Sequence, residues 1–142
     1  RSAADGRRMS PPQLRTIMLI DDSEADNFFH GLLLERSGLA LSVKVFEWAE
    51  QALAWFTDHP FHDVDLVLLD INMPRMDGFE FLDRFHQLPE AHQGDARICM
   101  LSSSPLDHER ERAMGYTRVT DFIVKPLEDE TLPQLTRVRT IL

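Results

Sequence analysis

Residues 65–78 of the chain read DLVLLDINMPRMDG, and they contain an apolar run, Leu66–Leu69, that ends on Asp70. The run lacks the alternation of apolar and polar residues that marks a strand with one solvent-exposed face. A continuous apolar strand is typical of the centre of a parallel sheet, because helices cover both faces of such a sheet. The stretch therefore predicts a buried central strand that delivers the carboxylate of Asp70 to its carboxyl end.

Short β-type runs and helix-period segments alternate on both sides of this strand, and five such pairs can be counted from Arg15 onward. Five units in about 130 residues predict an α/β fold, a flavodoxin-like doubly wound (βα)5 parallel sheet. The predicted strands are Thr16–Ile20, Leu41–Phe46, Leu66–Leu69, Arg97–Leu101 and Asp121–Val124. The predicted helices are Glu24–Ser37, Ala49–His59, Gly78–Gln87, Leu106–Met114 and Asp129–Leu142.

Several helix ends have local causes in the sequence. Ser23 and Asp26 have the spacing of a capping box, in which each side chain bonds the other residue's backbone N–H. Gly38 suits the end of the first helix, because glycine adopts the left-handed conformation without strain. Ser104 followed by Pro105 suits a cap and a first helical position before the fourth helix.

Two prolines bear on the C-terminal part of the chain. Pro133 lies inside the last helical segment, so that helix either starts as late as Leu132 or has an irregular first turn. The sequence leaves the isomer of the Lys125–Pro126 bond open, since proline raises the chance of a cis bond although most X–Pro bonds in folded proteins are trans.

The composition is that of one soluble globular domain: 142 residues, 43% of them hydrophobic. We expect the domain at 15–142, and at 1–14 a disordered arm or a remnant of cloning. The net charge of −9 disfavours nucleic acid or anionic membrane as a partner. Cys99 is the single cysteine and lies in an apolar run, so we expect a buried thiol in a reducing cytoplasm.

Charged side chains follow three of the predicted strands. Asp21 and Asp22 follow the first strand, Asp70 follows the third and Lys125 the fifth. The carboxyl ends of parallel strands share one edge, so three carboxylates would meet there and repel unless a cation lies among them. Hard oxygen ligands favour Mg²⁺, with Mn²⁺ as a substitute. A purely structural interpretation of Asp21 and Asp22, as partners of the first helix dipole, is the alternative.

Three motifs together resemble the receiver domain of bacterial two-component response regulators, of the CheY-like kind. They are the stretch at 65–78, LIDDS at 19–23 and FIVKPL at 122–127, and they span nearly all of 16–142. The resemblance implies a five-stranded sheet in the order 2-1-3-4-5. It also implies a phosphorylation-dependent signalling switch that is not an enzyme acting on a separate substrate.

The resemblance gives each strand-end residue a role. Asp70 matches the phosphoacceptor, which takes a phosphoryl group from a phosphohistidine of a sensor kinase and also contributes to the metal site. Asp22 would bind Mg²⁺ directly, Asp21 would bind it mainly through water, and the backbone carbonyl of Asn72 would complete the protein ligands. Lys125 would hold a phosphoryl oxygen.

Two further positions match the residues that respond to phosphorylation in this family. Phe122 matches the switch aromatic, whose ring turns inward on activation. The switch hydroxyl is assigned to Ser102 because it directly follows the apolar residue Leu101, although the usual interval before the lysine points to Ser103. On the Ser102 assignment, the extra residue would be accommodated in 115–120.

The family also implies the partners. These are a sensor histidine kinase or phosphotransfer protein, and a downstream protein that docks on the fourth helix, fifth strand and fifth helix. One alternative is a Mg²⁺-dependent phosphatase with an aspartyl nucleophile, which is weakened because Asn72 stands where its acid would be. The other is a receiver-like docking module that takes no phosphate, which the complete set of site residues argues against.

Overall fold

The computed structural model describes residues 13–103 and 106–136, which form a five-stranded parallel sheet in the order β2-β1-β3-β4-β5. The predicted flavodoxin-like (βα)5 architecture and its strand order are confirmed. The predicted arm at 1–14 lies outside the described residues except for Gln13 and Leu14, and Leu14 is the first residue of β1. The strands are β1 (Leu14–Ile20), β2 (Ala40–Phe46), β3 (Val64–Asp70), β4 (Arg97–Ser102) and β5 (Val119–Val124).

Each predicted strand is present, and each is one or two residues longer at one or both ends. At the carboxyl ends of β3 and β4 the extension arises because ladder pairing continues into a polar residue that the apolar pattern leaves out. Asp70 pairs with Leu101, and Ser102 pairs with Val124. Asp70 and Ser102, like Phe122 in β5, therefore belong to strands and are held by the sheet.

Within the described part of the chain, five α-helices and one 3₁₀ helix connect or follow the strands. Helix α1 has the predicted bounds, with Ser23 as its N-cap and Gly38 in the left-handed conformation as its C-cap. The second and third predicted helices end one and two residues early, and the one-turn α4 was not predicted. The helices are α1 (Glu24–Ser37), α2 (Ala49–Asp58), α3 (Gly78–Phe85), α4 (Glu90–Gln93) and α5 (Asp107–Met114), followed by η1 (Asp129–Thr136).

The two later helices differ from prediction. Helix α5 begins at Asp107 rather than Leu106, because Leu106 has the extended backbone of an N-cap; the predicted cap at Ser104 and Pro105 lies outside the described residues. From 129 to 136 the last predicted helix is a 3₁₀ helix and not an α-helix, and the rest of that prediction, 137–142, lies outside the described residues. Pro133 lies inside it and has no N–H for an α-helical hydrogen bond.

The core consists of two apolar layers, one on each face of the sheet. On one face α1 and η1 pack through leucines such as Leu34 and Leu135, and on the other face α2 and α3 pack through phenylalanines such as Phe56 and Phe81. Cys99 is buried in the first layer, as predicted, and burial raises the pKa of its thiol. Within the described residues, no helix is both long and apolar enough to cross a membrane.

The region that leads to Lys125 contains two irregularities. Ile98 pairs with Val119 and Cys99 pairs with Asp121, so Thr120 is one extra residue in β5. This bulge lies in the segment that was expected to accommodate an extra residue. The Lys125–Pro126 bond is cis, the less common of the two forms that the sequence left open.

Candidate functional site

Adjacent strands bring the three predicted carboxylates together. Asp21 and Asp22 directly follow β1, and Asp70 is the last residue of β3, the neighbour of β1 in the sheet. One carboxylate oxygen from each of the three lies within 4.8 Å of the others. Asp21 and Asp70 are buried and Asp22 is exposed, so the cluster opens to solvent on one side.

Lys125 reaches the same cluster from the end of β5. Its ammonium nitrogen Nζ lies 2.7 Å from Asp21 Oδ2 and 3.2 Å from Asp70 Oδ1. The backbone N–H of Lys125 donates to the carbonyl of Ser102 at 2.8 Å, which ties this residue to the end of β4. The lysine therefore lies where it can neutralise charge that arrives at Asp70.

The electrostatics of the cluster distinguish Asp70 from an ordinary aspartate. Burial and the nearby charge of Asp21 raise the pKa of Asp70 to about 6, against the opposing effect of Lys125. Burial disfavours the Lys125 ammonium, but hydrogen bonds to Asp21 and Asp26 raise its pKa above the ordinary value. The carboxylates of the cluster therefore carry more negative charge than Lys125 neutralises.

The donor atoms fit a hard divalent cation. The three clustered groups are carboxylates, the ligands that Mg²⁺ and Mn²⁺ prefer. Oδ2 of Asp21 is buried, and the ammonium of Lys125 lies 2.7 Å from it. Lys125 supplies one positive charge against three carboxylates whose oxygens lie within 4.8 Å of one another, so Asp21, Asp22 and Asp70 suit a metal site.

The loop after β3 is held tightly against Asp70. Gly78 N–H donates to the Ile71 carbonyl at 2.8 Å, and a Cβ at Gly78 would lie 2.6 Å from the Asp70 carbonyl oxygen. Asp77 and Glu80 form a reciprocal capping box at the start of α3. Only glycine fits this close approach, which fixes the loop that contains the exposed residue Asn72.

The predicted switch positions lie on β4 and β5, one and two strands away from the strand that ends on Asp70. Ser102 is buried at the end of β4, whereas Ser103 is exposed. Phe122 is buried in β5, and the guanidinium of Arg110 lies 4.9 Å from the centre of its ring. The ring of Phe122 is therefore inside the protein and is covered by a residue of α5.

Sequence reasoning missed a carboxylate that lies next to the lysine but outside the predicted cluster of three. Asp26 Oδ2 accepts a hydrogen bond from Lys125 Nζ at 2.8 Å, although 99 positions separate the two residues. The capping-box interpretation of Asp26 was half right. Its backbone N–H donates to Ser23 Oγ, but the N–H of Ser23 donates to Asp21 Oδ1 and not to Asp26. A sequence signal existed, since Asp26 lies in the first turn of a helix that begins two residues after Asp22.

The sequence profile of the response regulator receiver domain matches residues 17–137 of this chain. The chain belongs to this family. Receiver domains of two-component signalling are generally signalling switches, and they generally bind Mg²⁺ at an acidic pocket of the kind described above.

Individual relatives agree with this assignment. The receiver domain is 32% identical over 120 residues, or 84% of its length, to the signal transduction histidine-protein kinase BarA of Escherichia coli and covers 12% of that protein. It is 32% identical over 91% of its length to the transcriptional regulatory protein CpxR of Klebsiella pneumoniae and covers 50% of CpxR. The chain therefore spans half or less of these curated relatives.

Solved structures show the same fold. A response regulator receiver protein from Dyadobacter fermentans aligns with a TM-score of 0.77 and 33% identity, over 85% of this chain and 94% of that one. The bacteriophytochrome response regulator AtBRR aligns with a TM-score of 0.68 and 28% identity, over 92% of this chain and 99% of that one.

Proposed function

We propose that this receiver domain is a phosphorylation-dependent switch in which Asp70 accepts a phosphoryl group from a phosphohistidine. The donor is a sensor histidine kinase or a phosphotransfer protein of a two-component phosphorelay. The observation that carries the proposal is the position of Asp70, which lies in the carboxylate cluster with Lys125 Nζ 3.2 Å from its Oδ1. BarA, named as a histidine-protein kinase, shows that related domains occur in proteins of that system.

Mg²⁺ is the proposed cofactor, and Mn²⁺ can replace it because the ligands are oxygens. Asp21, Asp22 and Asp70 would supply carboxylates, and the backbone carbonyl of Asn72 would complete the protein ligands. The ion would supply positive charge for the phosphoryl oxygens. The close approach of three carboxylate oxygens, within 4.8 Å of one another, supports this assignment.

The chemistry needs an ionised carboxylate and little else from the protein. A carboxylate oxygen of Asp70 attacks phosphorus in line, the O–P bond forms and the P–N bond to the histidine breaks. The bonding electron pair stays on the imidazole nitrogen of the donor. The Lys125 ammonium stabilises charge on a phosphoryl oxygen, and positioning supplies most of the rate. The domain turns over no separate substrate in this scheme.

The response is a shift between two conformations of the strand ends on the β4 and β5 side. The Ser102 hydroxyl would donate to the phosphoryl group and Phe122 would report the change. The burial of Ser102 beside β5 favours it over the exposed Ser103. A downstream protein would dock on α5, β5 and η1.

We also propose that the partner is a protein, rather than nucleic acid or a membrane, and that the domain is cytoplasmic. The net charge of −9 supports a protein partner and disfavours nucleic acid and membrane surfaces. A cytoplasmic location is supported by Cys99, which is a buried free thiol.

The test is phosphorylation by acetyl phosphate, read by intact mass with and without Mg²⁺. We expect a single phosphoryl addition that requires Mg²⁺ and is absent in Asp70→Asn. Asp65→Asn is the matched control, since it changes an aspartate at the other end of the same strand. No addition to the wild type would favour the docking module, and continuous consumption of acetyl phosphate by Asp70 would favour the phosphatase.

A further inference from the structure

Lys125 has three carboxylate neighbours among the described residues, and they differ in kind. Asp21 and Asp70 belong to the cluster that suits a metal, and each makes an ion pair with Nζ. Asp26 lies outside that cluster, on the first turn of α1, and accepts a hydrogen bond from Nζ at 2.8 Å. Asp26 is thus the neighbour whose contact does not depend on the metal ligands.

The N-terminal cap of α1 leaves the Asp26 carboxylate available for this contact. In a capping box that carboxylate would accept the N–H of the cap residue, Ser23. Here Ser23 N–H donates to Asp21 Oδ1 at 2.9 Å, and Asp26 contributes its backbone N–H to Ser23 Oγ. The cap therefore holds Asp26 in place while its side chain binds the lysine.

Helix α1 also holds the backbone beyond Pro126. His30 is one helical turn after Asp26, is buried, and accepts a hydrogen bond from Leu127 N–H at 3.1 Å. The same helix face therefore binds the Lys125 side chain and the Leu127 backbone. The two contacts fix the segment 125–127 relative to α1 independently of β3.

We propose, resting on the proposed function, that Asp26 is a positioning residue that keeps Lys125 Nζ over the strand ends during phosphorylation. In that reaction Asp21 binds the metal and Asp70 binds phosphorus, so both change their contact with the lysine. An ammonium has three N–H donors. One stays on Asp26, and two remain to reach a phosphoryl oxygen. Without Asp26, the Lys125 ammonium would have no fixed carboxylate partner once Asp21 and Asp70 change their contacts.

A different role for Asp26 predicts the opposite change in the rate of phosphorylation when Asp26 is removed. If Asp26 acts only through its negative charge, it repels the incoming phosphoryl group and withholds the lysine, and its removal speeds phosphorylation. If it only stabilises α1 through the helix dipole, Glu24 in the same first turn has the same effect. Glu24→Ala is therefore the matched control variant.

The first measurement follows the lysine itself and needs no phosphorylation. The chain has two lysines, Lys44 and Lys125, so ¹⁵N-lysine labelling gives two ammonium signals. With saturating Mg²⁺ alone as the probe, we expect Asp26→Ala to speed hydrogen exchange of the Lys125 ammonium about tenfold, as for loss of one charged hydrogen bond. We expect Asp26→Asn, which keeps an acceptor oxygen, to have a smaller effect. The Lys44 signal and the Glu24→Ala variant should be unchanged.

The second measurement is the rate of phosphorylation by acetyl phosphate with Mg²⁺. We expect Asp26→Ala to slow it about tenfold through misplacement of the lysine, with partial recovery in Asp26→Asn. In a Lys125→Ala background, Asp26→Ala should have no further effect, because Asp26 acts through that lysine.

The outcomes separate this proposal from the proposed function. Unchanged Lys125 exchange in Asp26→Ala, faster phosphorylation in Asp26→Ala, or an equal slowing in the Lys125→Ala background would each overturn the role of Asp26. A wild type that takes no phosphoryl group would overturn the proposed function, and in that case the exchange measurement still decides whether Asp26 holds the lysine.

Discussion

Both ends of the sheet combine a basic side chain with aspartates, but the ratio of negative to positive charge and the burial differ. At the amino end Arg15 of β1 pairs with Asp65 of β3 at 2.7 Å and with Asp95 at 3.4 Å, and the guanidinium is about half exposed. At the carboxyl end Lys125 is largely buried and faces Asp70 together with two further aspartates. The amino end contains an ion pair in contact with water. The carboxyl end contains more carboxylates than ammonium groups, and the lysine there is largely buried.

The aspartates at the two ends of β3 show what this difference does. Burial raises the pKa of Asp65, but hydrogen bonds from Arg15 outweigh it and hold the pKa below the usual range. At Asp70 burial is joined by the charge of Asp21, and the pKa rises to about 6. The ion pair at the amino end contributes to stability. At the carboxyl end the ionised form of Asp70 is destabilised, and the same negative charge attracts cations.

The largest expected effect separates the cations of the two ends. Lys125→Ala should slow phosphorylation by acetyl phosphate about 10²- to 10³-fold, because a preorganised positive charge at the phosphoryl group is lost. Arg15→Ala and Lys44→Ala should leave the rate within about twofold of the wild type. Single-turnover intact mass gives the rates, and an equal slowing in Arg15→Ala would remove the functional distinction between the two ends.

Asp70→Asn should stabilise the folded domain at pH 7, by up to about 3 kcal/mol in the free energy of unfolding. The folded pKa of Asp70 is about 6 and exceeds that of the unfolded chain. Folding is thus favoured by the proton on Asp70 at low pH, and this contribution is lost as the pH rises through about 6.

The gain in Asp70→Asn should therefore shrink as the pH falls and vanish below about pH 4, the usual pKa of aspartate. Urea unfolding of both proteins from pH 4 to pH 7 measures this difference. A gain that is constant across the range would mean that the ionised form of Asp70 is not penalised in the fold.

Mg²⁺ should stabilise the carboxyl end and leave the amino end unaffected. At a free concentration ten times its dissociation constant, a ligand that binds only the folded state adds about 1.4 kcal/mol to the free energy of unfolding. We expect this gain in the wild type and in Asp65→Asn, and its loss in Asp21→Asn. Urea unfolding with and without Mg²⁺ provides the values, and retention of the gain in Asp21→Asn would contradict the metal site.

The smallest effect is expected at the amino end. Arg15→Ala should lower the free energy of unfolding at pH 7 by at most about 1 kcal/mol, because solvent screens a half-exposed pair. Since Asp65 has a lowered pKa, the contribution is present at neutral pH and is lost as the pH falls below about 4. The sign is opposite to that of Asp70, and the same unfolding series tests it.

Local signals made much of the fold and the site predictable. Helix α1 has the predicted bounds because Ser23 and Gly38 determine its ends by short-range bonding and backbone conformation. The strand-end rule placed Asp21, Asp70 and Lys125 at one edge, since parallel strands share a direction.

Long-range contacts account for what sequence could not provide. The partner of Asp26 is 99 positions away, and only the folded sheet brings the two side chains together. The 3₁₀ form of η1 depends on Pro133 and on packing of Leu132 and Leu135 under the sheet, which periodicity does not resolve. Sequence identified the residues of the cluster, but not which of them share one ammonium.

The most direct test of the central claim, that the acid excess at the carboxyl end serves phosphorylation of Asp70, is to map the phosphoryl group. After treatment with acetyl phosphate and Mg²⁺, borohydride reduction converts an aspartyl phosphate to homoserine, which tandem mass spectrometry locates. We expect homoserine at position 70 in the wild type and none when Mg²⁺ is omitted. Homoserine at position 65, or none anywhere after Mg²⁺ treatment, would contradict the account.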